Sequence, residues 1–473
     1  MTTNPTQHPT AVPGQAAPAG PRGALRSLAE RVSGRLLTPA DPEWAAAVVP
    51  WRVNVAQRPV AVLETHDAHD VVAAVRWAAH HEVPVTTQTT GHGATHVDGV
   101  SPADGALVVR CTGLTEIEVD LERRTAWVGA GVRAGQLLAA LDGTGVTFLC
   151  GSNPSPSVVG MTVTGGLTWF GRAYGVGADS IRTVELVDGL GRLRRIGPDE
   201  AERFWAVRGA GGDFGVITRV ELALHPAPQV HGGRMVWPVE RLAEVLAAFR
   251  AVTATAPREL TVWLQVQHFP DVPFLPEEIR GKSFAAVAYT FLGAEVTALM
   301  RMAPLAGVAG RLTDTSGPVA IGALGDVAAE PVDPTPAMEY AQLLSTIDDT
   351  TADALVEQVG TRGACPITIV QVRHLGGALR EGGTSAFGTI EEEYLLQGIG
   401  IPAVPAVVPA IEGAFVGLDS AAATVGTGRA PLAFLGETPT ARWWSPETRA
   451  RLVAAKQDLD PLGVIRSNRP VAG

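Results

Sequence analysis

The chain has 473 residues, of which 46% are hydrophobic and 18% charged, enough apolar material to bury sizeable cores in two or three domains. A formal net charge of −11 argues against non-specific nucleic-acid binding and against a polybasic membrane contact. Cys111, Cys150 and Cys365 are too few, and odd in number, for a disulfide framework, and they read as buried apolar thiols.

Residues 1–23 carry five prolines and no apolar core segment, so they do not read as a secretion signal. Residues 1–24 are expected to be a disordered tail. With no other targeting signal, the expected location is the cytoplasm. Asp67 to His80 places Val71, Val72, Val75, Ala78 and Ala79 at helical spacing and leads into the strand Val83-Pro84-Val85. Ala106 to Val109 and Ile117 to Val119 read as strands, and Gly135 to Leu141 as a helix stopping at Gly143. Ile181 to Val187 turns at Asp188-Gly189 into a hairpin returning through Leu193 to Ile196. Val216 to Leu224 alternates as a strand until Pro226 and Pro228 break it, which sets a domain boundary at 228.

The block 229–430 reads differently. Leu260 to His268 alternates, with Thr261, Trp263, Gln265 and Gln267 on one face. Phe284 to Phe291, Ile367 to His374 and Glu392 to Gln397 supply further strands. Helices are expected at Glu240–Thr253, Glu295–Pro304 and Met338–Leu344, covering one side of an antiparallel sheet. Pro402, Pro405, Pro409 and Glu412 interrupt the most apolar window, Gly398 to Leu418, so no membrane span is expected there. The predicted class is α+β: a mixed α/β domain over 25–228, an antiparallel sheet covered by helices over 229–430, and a return of 431–473 to the first domain.

Four stretches carry the chemistry. The first is Thr89-Thr90-Gly91-His92-Gly93-Ala94-Thr95, a glycine-flanked turn after a short strand. Successive main-chain N–H groups in such a turn form an anion site, with an imidazole nucleophile at its lip. The second runs GSNPSPSVVGMTVTGGLTWFGRAYG from Gly151 to Gly175, with Asp179 following. The third is Phe204 to Ile217, ending Gly215-Val216-Ile217, and the fourth joins Asp460-Pro461 to Ile465-Arg466-Ser467-Asn468. Competing motifs fail on spacing. Gly129-Ala130-Gly131 with Gly135 misses the dinucleotide-binding pattern, and Gly281-Lys282-Ser283 has Pro276 where a phosphate-binding loop starts with glycine. His92 and His96 lack a third zinc ligand at suitable spacing, so no metal is expected. No Gly-x-Ser-x-Gly elbow is present.

In this order and spacing, the four stretches resemble the vanillyl-alcohol oxidase superfamily of FAD-binding proteins, in its berberine bridge enzyme-like branch, from about Pro59 to Pro470. The resemblance implies a two-domain flavoprotein with an FAD-binding domain and a substrate domain. It places His92 at the family histidine bonded covalently to the flavin, and Thr89, Thr90, Gly91, Gly93 and Ala94 in the loop that holds the pyrophosphate. Asn153 stands where the family has a second attaching residue, a cysteine. An amide forms no thioether, so a single covalent link through His92 is expected. The same stretch contributes Pro154, Val158, Gly160, Thr164, Gly165 and Gly166 to the FAD set. Gly215, Val216 and Ile217 are assigned beside the adenine or ribose end, and Asn468 to the pyrophosphate or ring edge. Thr164 and Thr168 replace family glycines, and Ala433-Phe434-Leu435 lacks the family's asparagine before Phe-Leu, which removes a polar contact near the active site.

A polar sheet face turned toward a flavin is where substrate groups and a base belong. Gln265, Gln267, Gln371, Arg373, Tyr394 and the run Glu391-Glu392-Glu393 are the candidates, with Tyr394, Gln371 and Arg373 taken as the catalytic set. Tyr394 is the preferred acceptor of the proton that accompanies hydride loss. Tyr174, His268 and His374 read as structural. The implied activity is that of an FAD-linked oxidase acting on an alcohol or amine-bearing small molecule, a sugar or specialised metabolite, with oxygen as the acceptor. A covalent flavoprotein doing non-redox cyclisation, or a non-catalytic flavin or metabolite binder, stays open. The oligomeric state is left undetermined.

Overall fold

The computed structural model describes residues 22–273, 275–361, 365–437 and 442–472. Most of the expected tail therefore lies outside the described residues, but Arg22 to Ala24 do not belong to a tail. They open the helix Arg22–Ala29, whose Leu28 is buried in the first domain's core.

The first domain is built on two five-stranded sheets. One runs Arg35–Leu37, Ala61–Glu64, Leu107–Arg110, Val85–Thr87, Ile465–Arg466, and is parallel beyond its first pair. The other is antiparallel, in the order Ile117–Asp120, Thr125–Gly129, Val216–Ala223, Ile181–Val187, Leu193–Ile196. The helix Ala68–His80 packs against both sheets and buries Val71, Ala74, Val75 and Ala78. It starts where it does because Asp67 accepts hydrogen bonds from the main-chain N–H groups of His69 and Asp70. The C-terminal strand reaches the first sheet because Asp460 ties down the turn before it. Its carboxylate accepts from the N–H groups of Val464 and Ile465 and from Lys456 Nζ.

The second domain is one antiparallel sheet whose main path runs Thr313–Asp314, Val230–Pro238, Ser283–Leu292, Leu260–His268, Ile369–His374, Tyr394–Gly400, Met338–Leu344. The helices Leu242–Thr253, Glu295–Ala306, Asp349–Val359 and Val408–Ala421 cover one face and form a core with Val262, Leu264, Val266, Val370, Val372 and Leu396. The α+β two-domain class predicted from the sequence is what the fold shows.

One element is corrected. Met338–Leu344 is a strand and not a helix, paired residue for residue with Tyr394–Gly400. Its Met, Glu, Ala, Gln and Leu residues favour a helix by only a few tenths of a kcal/mol each. Pairing buries Leu343 and Leu344 in the cores on opposite faces of the sheet, and that burial overrides the local preference.

The sheet is clamped to the first domain at two points. Trp169, at the end of the Gly151 stretch, stacks on Trp263 of the sheet with ring centroids 3.8 Å apart. Arg172 donates from Nε to the Leu260 carbonyl at 2.7 Å, and its terminal nitrogens reach the carbonyls of Ala256, Pro257 and Leu375. The uncovered sheet face is thereby held against the loops of the first domain.

Candidate active site

Between that face and those loops lies a cavity of about 480 Å³. Its first-domain wall is made of backbone and small side chains. The turn after Val85–Thr87 needs glycine at position 91. Its φ is +85°, and a Cβ there would lie 2.7 Å from the main-chain nitrogen of Trp51. His92 follows and presents its ring to the cavity, stacked on Trp51 at 4.3 Å between centroids. Its Nδ1 lies 2.7 Å from Thr90 Oγ1 and its Nε2 3.0 Å from Ser155 Oγ. Burial, with the nearby Arg133 cation, pushes the imidazole pKa down to about 4, so the ring is neutral at physiological pH.

Asn153 stands beside it. Its Oδ1 accepts from the Ser155 N–H and hydroxyl, and its Nδ2 donates to the Pro331 carbonyl at 2.8 Å. A chain of contacts thus runs from the 330–337 segment through Asn153 and Ser155 to His92. Trp51 adds a second link, donating from its indole N–H to the Val332 carbonyl at 3.1 Å. Cys150 and Cys111 are fully buried, and burial raises both thiols to about 12.

The residues assigned to FAD come together on this wall. Thr89, Thr90, Gly91, His92, Gly93 and Ala94 all line the cavity. Asn153, Gly160, Thr164 and Gly166 face it from the second stretch, Gly215 and Ile217 from the third, and Asn468 from the C-terminus. Pro154, Val158, Gly165 and Val216 lie behind that lining. Val158 and Val216 are core residues. Gly165 has φ +113°, and a side chain there would run into the Phe387 ring. Thr164 caps the short helix Val158–Val163 by donating its hydroxyl to the carbonyls of Gly160 and Met161, both at 3.0 Å.

The Gln88 side-chain amide and the Thr87 hydroxyl are buried on the same wall without a hydrogen-bond partner among the described residues. Orphaned polar groups beside a cavity call for a ligand with donors and acceptors. A backbone-rich wall with such groups and a neutral imidazole fits a flavin nucleotide.

The opposite wall is the sheet. Gln265, Gln371 and Gln397 lie directly across from one another on three adjacent strands, and Arg373 projects from the same face as Gln371. Gln371, Arg373 and Gln397 line the cavity, as does Glu330. Gln265 is buried behind them, and Gln267 is taken up by Arg234. Arg373 Nε donates to Gln371 Oε1 at 2.8 Å, and Gln371 Nε2 lies 3.4 Å from Glu330 Oε1. Desolvation lowers the Arg373 pKa, opposed by the fields of Glu330 and Glu339.

The assignment of Tyr394 as base is corrected. Tyr394 pairs with His374, one residue out of phase with Arg373, so its side chain lies on the helix-covered face. Its hydroxyl meets Thr253 Oγ1 at 2.7 Å, and burial raises its pKa. The acidic run is also elsewhere: Glu392 pairs with Arg429, Glu393 with Arg380, and Glu391 is exposed. Tyr174 is structural, its hydroxyl donating to the Pro226 carbonyl at 2.6 Å and its ring stacked on His225. His268 and His374 are buried with one ring nitrogen engaged and the other without a hydrogen-bond partner among the described residues.

Sequence reasoning missed Trp51, Arg52, Gln88, Glu330, Glu339, Gln397 and Arg469, all of which line the cavity. Of these, only Gln397 carried a usable signal, because it ends the predicted strand Glu392–Gln397 at the phase of Gln371.

The fold and this cavity define a flavin-binding protein. Residues 59–197 match the FAD binding domain family. Among solved structures, Physcomitrella patens BBE-like 1 superposes with a TM-score of 0.78 at 18% identity, covering 95% of this chain and 98% of that one. The 6-hydroxy-D-nicotine oxidase of Arthrobacter nicotinovorans superposes with a TM-score of 0.75 at 22% identity, covering 92% and 97%. At these identities the likeness is one of fold. Among sequence relatives, the (R)-6-hydroxynicotine oxidase of Paenarthrobacter nicotinovorans is 30% identical over 221 residues, 46% of this chain and 48% of that protein. The berberine bridge enzyme-like 28 of Arabidopsis thaliana is 31% identical over 179 residues, 37% of this chain and 34% of that protein. The chain spans about half the length of the curated relatives it matches. Residues 59–197 are thus an FAD binding domain, and the proteins that the chain resembles in sequence and in fold include berberine bridge enzyme-like flavoproteins, the branch that the four motifs resemble.

Proposed function

We propose that the protein is an FAD-linked oxidase, with the flavin held covalently by His92 alone, which oxidises an alcohol or amine-bearing small molecule, a sugar or specialised metabolite, and passes the electrons to oxygen. The observation that carries this reading is His92 itself, a neutral imidazole on the wall of a flavin-sized cavity. Burial keeps its lone pair unprotonated, which a nucleophilic nitrogen requires. Stacking on Trp51 and contacts to Thr90 and Ser155 fix its orientation. Asn153 in the second attachment position bonds to Ser155 and Pro331 and offers no nucleophile.

Bound FAD supplies a two-electron acceptor for hydride. The protein's task is then to orient the substrate and receive its proton. With Tyr394 on the far face, Glu330 and Glu339 are the carboxylates on the cavity wall among the described residues. Glu339 stands 3.6 Å from Arg52, whereas Glu330 faces Gln371 and the sheet wall. Glu330 is thus the group we assign to accept the proton.

Acid precipitation of purified protein tests the tether: the pellet stays yellow in the parent, and the colour moves to the supernatant in His92→Ala. Anaerobic bleaching against a panel of sugars and hydroxylated or amine-bearing metabolites tests the oxidation, with oxygen uptake as its aerobic counterpart. A yellow protein bleached by none of them and taking up no oxygen overturns the oxidase reading.

A further inference from the structure

We propose that the sheet wall is a carboxylate-recognition site, so that the substrate is an apolar-bodied carboxylic acid bearing the oxidisable hydroxyl or amine. This rests on the oxidase reading and names its substrate class. Arg373 is only 7% exposed. Its guanidinium lies between the rings of Trp263, 4.1 Å away, and Phe434, 5.1 Å away. With Nε fixed on Gln371, the planar fork is held in one orientation. Its terminal nitrogens make no hydrogen bond to any described residue, and the nearest carboxylate, Glu330, stands 3.9 Å from one of them, beyond direct bonding.

Gln397, on the adjacent strand, is 4% exposed, and its carbonyl oxygen is buried without a partner among the described residues. A buried cation with an incomplete counter-charge is a costly arrangement that a bound oxyanion relieves, and the Gln397 oxygen beside it is an acceptor that calls for a donor on the same ligand. A carboxylate takes the terminal N–H donors of Arg373, and an adjacent hydroxyl or ammonium on the same ligand donates to the Gln397 carbonyl oxygen or to Glu330.

The charges of the cavity agree. Arg52, Arg373 and Arg469 line it against Glu330 and Glu339, and His92 is neutral. Arg52 is committed to the carbonyls of Ala94 and Ala337, and Arg469 to those of Leu432 and Asn468. Arg373 is the arginine of the three with both terminal nitrogens left for a ligand. Ile369, Ile399 and Phe434 around it make the rest of this wall apolar.

Calorimetry on the purified flavin-loaded protein tests the proposal with benzoate, benzamide and benzylammonium. Benzoate is expected to bind at least about tenfold more tightly than benzamide, and Arg373→Gln to weaken it by about tenfold to a hundredfold. Glu330→Gln is expected to tighten benzoate by removing a competing carboxylate. Arg373→Lys, which keeps the charge but loses the planar fork, also weakens benzoate, and it replaces Arg373→Gln if that variant's thermal midpoint shows it misfolded. Equal binding of benzoate and benzamide, no benzoate binding at millimolar concentration, or a preference for benzylammonium that Glu330→Gln abolishes each overturns the proposal. A yellow protein that fails these tests loses the carboxylate site alone. A colourless protein that still selects benzoate loses the oxidase reading instead.

Discussion

The two walls of the cavity are built by different means. The first-domain wall consists of turns in which glycine, serine, threonine and a single imidazole sit on backbone that must follow one path, as Gly91 and Gly165 show. The sheet wall consists of long side chains on regular strands, where Gln371, Arg373 and Gln397 differ from their neighbours only by the phase of a two-residue repeat. A turn tolerates little change in residue type, so the first-domain wall is specified locally. A strand accepts many residue types on a face that borders a cavity, so the sheet wall is free to change chemistry without changing fold.

The sharpest break between the walls is His92→Ala, which should abolish covalently bound flavin altogether. Fluorescence of the denatured band on a gel reads this, and a fluorescent band in the variant refutes the assignment. Gly165→Val comes next. It forces a side chain into the Phe387 ring at a φ of +113°, and we expect a loss of about 4 kcal/mol in denaturant unfolding, with reduced flavin loading. Leu264→Ala, on the helix-covered face, should cost about 3 kcal/mol by leaving a cavity in the second core, with the flavin still attached. Equal loss of flavin in Leu264→Ala would show that the walls are not separately specified.

Acid sensitivity gives a smaller effect. Burial and the Arg172 and Arg380 cations push His374 from the ordinary 6.5 down to about 3, and burial takes His92 to about 4. The unfolded chain takes up these protons below about pH 6.5 while the folded protein does not. Their contribution to stability is therefore complete above that pH and is lost as pH falls through the window toward 4 and 3. The thermal midpoint should be flat above neutrality and decline below about pH 6, with a shallower decline in His374→Gln. The smallest effect is expected for Asn153→Ala, which removes the bonds to Pro331 and Ser155 at about 1–2 kcal/mol and loosens the 330–337 segment. Faster proteolysis in that segment, with the flavin tether intact, is the corresponding measurement.

Much of the first domain was legible because its signals are local. The periodicity of Asp67–His80, the hairpin at Asp188-Gly189 and the glycine-rich stretches each depend on residues close in sequence. The helix expected at Met338–Leu344 failed because its propensities were local while the pairing that decided it lay some 50 residues downstream. Tyr394 failed for a related reason. Alternation shows that Glu393 and Tyr394 face opposite ways, but only the pairing of Tyr394 with His374 tells which way the tyrosine points. Trp51 and Glu330 left no signal because each reaches the cavity from a segment whose own sequence has no periodic or motif character.

The sequence by itself determined an FAD binding domain and the glycine-bearing turns, with an imidazole among them, that make the first wall of the cavity, because turns and close backbone approaches are encoded in the residues that make them. The tertiary structure decided what faces that wall. Strand register, the clamp of Trp169 on Trp263 and the folding-over of residues 330–337 bring Arg373, Gln397 and Glu330 together from segments that have no reason to meet until the chain has packed.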